Sequence, residues 1–165
     1  MFLTVFIATS LALFLSCDKL DLIFPNIDFP SAKGLSAAQL MREIENILDN
    51  ALKWGLNTVF FQVRPMSDAL YTSTIFPASS FVTGTQGAEL PIDLLQVFIE
   101  EAHERGIELH AWINPYRVSQ KNIFGQNLDA LAENTPARLH PEWVVKYTDG
   151  AMYYNPGLPE ARELI

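Results

Sequence analysis

Cysteine is almost absent from this sequence, which contains Cys17 and no second cysteine among its 165 residues. A single thiol excludes an internal disulfide framework and argues against a metal site built on cysteine. Histidine is also scarce, and His103, His110 and His140 lack the close pairing of a zinc-binding motif. We therefore expect no bound metal and no other cofactor.

Positive charge is scarce as well. The chain has 11 Lys and Arg residues against 19 Asp and Glu residues, for a net charge of −8 and no basic cluster. Proteins that bind nucleic acid concentrate positive charge on one face, so the composition argues against a nucleic-acid partner. An acidic chain is also poorly suited to anionic membrane surfaces. Nothing in the composition indicates an oligomeric state.

The first 16 residues are almost wholly apolar. This run is short for a transmembrane helix but suits a signal peptide, although no Lys or Arg precedes it. Leu15-Ser16-Cys17 is similar to a bacterial lipoprotein cleavage site. Residues 1–19 are therefore predicted to be a leader, with Cys17 as a membrane tether and the cell envelope or the extracellular space as the location. The alternative is that Phe6 to Thr9 forms an ordinary buried strand.

A unit of helix, glycine and strand occurs twice. Gly55 ends a predicted helix that starts at Ser36, and Gly106 ends one over 92–105. The predicted strands that follow run over 58–63 and 108–113, and an earlier one covers 20–24. Strands alternating with helices indicate a parallel sheet with right-handed crossovers.

The connections differ strongly in length. Long loops over 65–90 and 115–140 follow strands, whereas the helix-to-strand connections are tight. Long loops after strands are typical of a (β/α)8 barrel, which needs eight strands and about 250 residues. The fold class is therefore α/β, a partial (β/α)8 TIM barrel with about three βα units. We expect residues 20–165 to be the N-terminal part of a longer domain, with a hairpin over 144–154 and a third helix near Pro159.

One predicted strand carries polar groups on a single face. His110, Trp112 and Asn114 alternate with apolar residues, and Pro115 ends the strand. Ligand sites of α/β proteins lie at the carboxyl ends of their strands. We therefore expect the functional site near this strand end.

Several motifs occur in order along the chain. They are Gln62-Val63-Arg64-Pro65, Asp68-Ala69-Leu70-Tyr71, His110 to Arg117, and Asn155-Pro156-Gly157. Together they resemble the bacterial glycosyl-hydrolase-like family 10. The resemblance implies a TIM barrel, an exported and often lipid-anchored protein, and a polysaccharide or oligosaccharide substrate, in some members the glycan strands of the cell wall. It also implies that paired aspartates of a later strand lie beyond Ile165.

The candidate site residues come from these motifs. Asp68 is the candidate catalytic residue, as one of the two carboxyl groups that glycoside cleavage needs. The alternative is that Asp68 forms an ion pair with Arg64 and only orders the loop. The predicted substrate-binding residues are Arg64, Tyr71, His110, Trp112, Asn114, Tyr116 and Arg117.

Each substrate-binding role has a plainer alternative. The aromatic rings can stack on sugars or, for Trp112, fill the barrel. His110 can be a hydrogen-bonded interior residue, and Arg117 can bind an anionic group or pair with a local acid. Two functions stay open: a glycoside hydrolase, and a non-catalytic glycan-binding barrel. A metal-dependent hydrolase is disfavoured because ligand-spaced His and Asp residues are missing.

Overall fold

The computed structural model describes residues 5–7, 20–25 and 27–164. Four strands form the main sheet: β1 (Val5–Ile7), β2 (Leu20–Ile23), β3 (Thr58–Arg64) and β4 (Glu108–Ile113). All neighbours are parallel, in the order β1-β4-β3-β2. The predicted side-by-side arrangement of β2, β3 and β4 is confirmed, and the fold is a partial α/β barrel.

Three more strands form a second, smaller sheet. They are β5 (Arg117–Ser119), β6 (Val144–Lys146) and β7 (Met152–Tyr154), in the antiparallel order β5-β7-β6. The predicted hairpin is the β6–β7 pair, whereas the third strand and the sheet as a unit were not predicted. The helices are α1 (Ala37–Lys53), α2 (Ser80–Thr83), α3 (Leu94–Glu104), α4 (Pro136–Leu139) and α5 (Pro159–Glu163).

The predicted leader lies mostly outside the described residues. Residues 8–19, with Cys17, are not among them, so the leader and the membrane tether stay predictions. The backbone of β1 pairs with β4 in the main sheet. Across the described part of the chain, no helix combines the length and the apolarity needed to cross a membrane.

Local signals in the sequence explain where the two long helices begin and end. Ser36 and Gln39 form a capping box at the start of α1, and Gly55 has a φ of 71°, which glycine adopts without strain. α3 begins at Leu94, two residues later than predicted, because the Asp93 side chain accepts a hydrogen bond from the backbone of Gln96 at 3.0 Å.

The main core lies between α1, α3 and one face of the sheet. Phe29, Phe61 and Phe98 are fully buried there, with ring centroids 4.3–6.0 Å apart. Aromatic groups at this spacing add to the free energy gained by burying their apolar area. A second core under the small sheet contains Val118, Leu131, Ala137, Met152, Tyr154 and Ala161.

The Phe98→Ala variant tests the importance of the aromatic cluster. We expect its free energy of unfolding to fall by about 3–5 kcal/mol, because the variant leaves a cavity beside Phe29 and Phe61. The measurement is the urea unfolding midpoint of the variant and the parent chain. Trp54→Ala is the control, since Trp54 is 62% exposed and should change stability by less than about 0.5 kcal/mol.

Candidate functional site

The inner face of the sheet carries the polar side chains predicted to form the site. Along β3, Phe61 and Val63 face the main core, so Gln62 faces the opposite side. The register shifts between Gln62 and Arg64, and Arg64 is paired with Ile113 at the end of the strand. β4 follows the same alternation, and its Trp112 is paired in register with Gln62. Parallel pairing therefore places these side chains together at the carboxyl end of the strands.

Arg64 is a nearly buried cation, with 4% of its surface exposed. Its Nη2 donates to the carbonyl oxygen of Pro115 at 3.2 Å, and its Cζ lies 4.4 Å from the ring centroid of Phe76. Burial lowers the pKa of Arg64, and the nearby Tyr71 and Tyr154 partly counter this change. Its Nε is buried and has no hydrogen-bond acceptor.

The prediction that Asp68 forms an ion pair with Arg64, given as the alternative to a catalytic role, is wrong. Within the described part of the chain, ion pairs involve other residues. The reason is geometric: Arg64 extends to Pro115, whereas Asp68 lies in the following loop and accepts a hydrogen bond from Gln86 Nε2 at 3.4 Å.

Asp68 is fully buried. Burial raises the pKa of its carboxyl group to about 6, and the polar groups of Ser79, Gln86, Met66 and Ser80 limit the rise. Its Oδ2 accepts a hydrogen bond from Gln86, whereas its buried Oδ1 has no hydrogen-bond partner among the described residues. The catalytic role stays a prediction. In the structure, the carboxyl group is enclosed by its own loop and bonded to Gln86.

Gln86 connects the two long loops and was missed in the sequence. Its Nε2 donates to Asp68, while its Oε1 accepts from the backbone of Ala132 at 2.9 Å and from Thr135 Oγ1 at 3.4 Å. A Cβ atom at the neighbouring Gly87 would lie 3.0 Å from the Ala132 side chain. The two loops are therefore in close contact. In the sequence, the only indication of this contact was the glycine-rich segment around Gln86.

Trp112 and Asn114 hold different positions on the inner face. The Trp112 ring packs edge-to-face on Phe24 with centroids 5.1 Å apart, yet its buried Nε1 has no acceptor. Asn114 donates from Nδ2 to the carbonyl oxygen of Pro65 at 3.0 Å, which joins the ends of β3 and β4. Deeper in the sheet, the His110 ring stacks on Phe60 at 4.6 Å, and its Nε2 lies 3.7 Å from Glu108.

Tyr154 anchors the small sheet to the end of β3 and was also missed. Its hydroxyl group is hydrogen-bonded to Ser67, and both residues are buried. Burial raises the pKa of Tyr154 to about 12. Its place on the predicted hairpin was the available signal, since every second residue of β7 faces inward.

The remaining predicted residues have different surroundings. Tyr71 lies near Arg64, packs against the main core and borders a groove along α3. Tyr116 packs against the second core, and its carbonyl oxygen accepts from the backbone of Tyr154 at 2.8 Å. Arg117 lies in β5 opposite Tyr153. The strand ends thus unite Arg64, Trp112 and Asn114, whereas Arg117 extends along the small sheet.

A metal centre was not expected from the sequence. Over residues 5–7, 20–25 and 27–164, no group of three or more His, Cys, Asp or Glu side chains could hold a metal ion.

Residues 15–165 match the family described as Glycosyl hydrolase-like 10. The chain belongs to this family, as the sequence motifs indicated. It is 45% identical over 140 residues to the glycosyl hydrolase YngK of Bacillus subtilis strain 168, covering 85% of this chain and 27% of that protein. It is 37% identical over 145 residues to the glycosyl hydrolase DigH of Escherichia coli K12, covering 85% of this chain and 32% of that protein.

A solved structure supports the barrel assignment. The cyclic α-maltosyl-(1→6)-maltose hydrolase of Arthrobacter globiformis aligns with a TM-score of 0.51 at 14% identity, over 91% of this chain and 40% of that one. Sequence identity this low shows the fold alone. The match to the family itself places the chain in a carbohydrate-active family. The chain spans about a third or less of the length of its curated relatives.

The contact between the loops can be tested with Gln86→Ala. Removing the amide leaves the backbone of Ala132 and the Asp68 carboxyl group with fewer partners, so we expect a loss of about 1–3 kcal/mol in stability. Hydrogen exchange should rise in both loops. Gln96→Ala is the matched control, because Gln96 is exposed and its amide donates to Glu100. Equal exchange in the two variants would contradict the bridging role.

The raised pKa of Asp68 also predicts that the free energy of unfolding depends on pH. Its pKa of about 6 lies above the ordinary 3.8, so the folded chain binds this proton more tightly than the unfolded chain. As the pH rises from about 4 to about 6, Asp68 should therefore lower the free energy of unfolding, by on the order of 3 kcal/mol.

Asp68→Asn removes this titration while keeping the shape of the side chain. The measurement is urea unfolding of the parent and of Asp68→Asn at several pH values. The parent should lose stability relative to the variant across that pH range. Parallel pH profiles would show that Asp68 does not titrate with a raised pKa.

Proposed function

We propose that the protein containing this chain is a glycoside hydrolase that acts on a bacterial glycan, including the peptidoglycan-type strands of the cell wall. Membership of a glycosyl hydrolase-like family supports the carbohydrate substrate. The relatives named glycosyl hydrolases support the reaction.

One observation at the strand ends carries the proposal. The buried N–H donors Arg64 Nε and Trp112 Nε1 lie near the carboxyl ends of the neighbouring strands β3 and β4 and lack acceptors within the described part of the chain. A buried donor without a partner costs about 1–3 kcal/mol, more when it is charged. Sugar hydroxyl and carboxylate oxygens are suitable acceptors, so a glycan that displaces the side chains covering these two nitrogens would relieve this cost.

Glycan binding and bond cleavage are assigned to different parts of the protein. Glycoside hydrolysis needs one carboxyl group as acid and a second as base or nucleophile. Asp68 is enclosed and bonded to Gln86, so it is assigned a positioning role in the loop. The acid and base are assigned to the part of the protein that corresponds to the remaining length of the curated relatives.

A non-catalytic glycan-binding barrel is the second candidate. It is favoured by the position of Asp68, because the predicted catalytic carboxyl group is buried and bonded to Gln86 within its own loop. A protein of the relatives' length that contains this chain separates the candidates. Release of new reducing ends from peptide-free cell-wall glycan supports the hydrolase, and binding without release supports the alternative.

The Arg64→Met variant tests the proposed binding site in the 165-residue chain. The change removes the guanidinium donors and keeps much of the apolar volume. We expect affinity for peptide-free glycan strands, measured by calorimetry, to fall about tenfold or more. Arg105→Met is the control, since Arg105 pairs with Asp49 and Glu101 at the far end of α3. Equal affinities would remove Arg64 from the site.

The location is also part of the proposal. The apolar run of residues 1–16 and the Leu15-Ser16-Cys17 motif support export and lipid attachment at Cys17. In bacteria expressing the chain with a labelled fatty acid, the parent should carry label and Cys17→Ser should not. Label on both, or on neither, would contradict the tether.

A further inference from the structure

The small sheet has one covered face and one open face. Met152 and Tyr154 are buried in the second core, so Tyr153 faces the other way. Tyr153 is paired with Val145 on β6 and with Arg117 on β5, and directly opposed residues share a face. With Tyr147, whose ring contacts Tyr153, these side chains form what we call the outer aromatic face.

The outer aromatic face leaves apolar surface in water. Tyr147 is 55% exposed and Val145 is 38% exposed. The rings of Tyr147 and Tyr153 have centroids 5.1 Å apart at an angle of 73°. The two rings are thus nearly perpendicular and form a corner lined by aromatic surface on two sides.

Arg117 adds a hydrogen-bond donor beside this corner. Within the described residues, no carboxylate lies within ion-pair distance of its guanidinium group. Its five N–H donors suit hydroxyl and carboxylate oxygens. The outer aromatic face therefore combines ring surface with a cation that has no partner in an ion pair.

We propose that the outer aromatic face is a second glycan-binding surface, which holds a polysaccharide chain outside the strand-end site. The apolar C–H faces of pyranose rings pack on aromatic rings, and their oxygens accept hydrogen bonds from Arg117. This inference rests on the carbohydrate part of the proposed function and adds a position where no binding residue other than Arg117 was predicted.

The position and size of the face favour this occupant. β5 begins two residues after Pro115, whose carbonyl oxygen accepts from Arg64, so Arg117 is the residue of this face that lies nearest along the chain to the strand-end site. A protein partner would need roughly 20–30 residues on each side of a stable interface. Four side chains on a three-stranded sheet are too few for that but enough for a few sugar units.

The test measures binding of peptide-free glycan strands to the 165-residue chain by calorimetry. We expect Tyr147→Ala and Tyr153→Ala each to weaken binding about threefold to tenfold, since each removes one aromatic contact. Tyr147→Phe keeps the ring and should bind like the parent. Trp54→Ala is the matched control, because Trp54 is 62% exposed at the end of α1 and should also leave affinity unchanged.

The outcomes separate this inference from the proposed function. Unchanged affinity in both alanine variants, with weaker binding by Arg64→Met, overturns the second surface alone. Weaker binding by the tyrosine variants, with unchanged binding by Arg64→Met, supports the second surface and overturns the role of Arg64. A parent chain that binds no glycan overturns both. Urea midpoints within error of the parent show that the variants are folded.

Discussion

The position of β3 between β2 and β4 is the constraint on which the rest of the structure depends. Parallel pairing on both sides divides its side chains between two environments. Phe61 and Val63 pack under the helices, whereas Gln62 faces inward. A shift of one residue in register would reverse this arrangement, placing the Gln62 amide in the apolar core and a phenylalanine on the inner face.

Much of this framework could be predicted because its signals are local. A capping box at Ser36, glycines after both long helices and strands rich in apolar residues each depend on neighbours within a few residues. The small sheet could not be predicted in full, because β5 has three residues and pairs with β7 more than 30 residues later. Strands this short carry no periodic pattern, and their pairing depends on the second core beneath them.

The candidate site shows the same difference between features set by local sequence and contacts between distant residues. The positions of Arg64 and Asn114 at strand ends followed from the sequence, but their partners did not. Arg64 bonds to a backbone carbonyl 51 residues away, and Asp68 bonds to Gln86 rather than to the nearer arginine. A side chain in a loop takes whichever partner the loop conformation supplies, and Gln86 is available only because a second loop supplies donors for its oxygen.

Arg64 and Asp68 are two buried ionisable groups without counter-ions among the residues that the structure describes, and the proposed function offers a reason for this arrangement. Arg64 remains buried beside an aromatic ring and one carbonyl oxygen, an arrangement that stabilises a cation less than a carboxylate would. Asp68, a short way along the chain, is buried and accepts a hydrogen bond from Gln86. Pairing the two would satisfy both charges but would leave fewer guanidinium donors for a ligand. Keeping them apart costs stability, and under the proposed function it leaves Arg64 available for the oxygen atoms of a glycan.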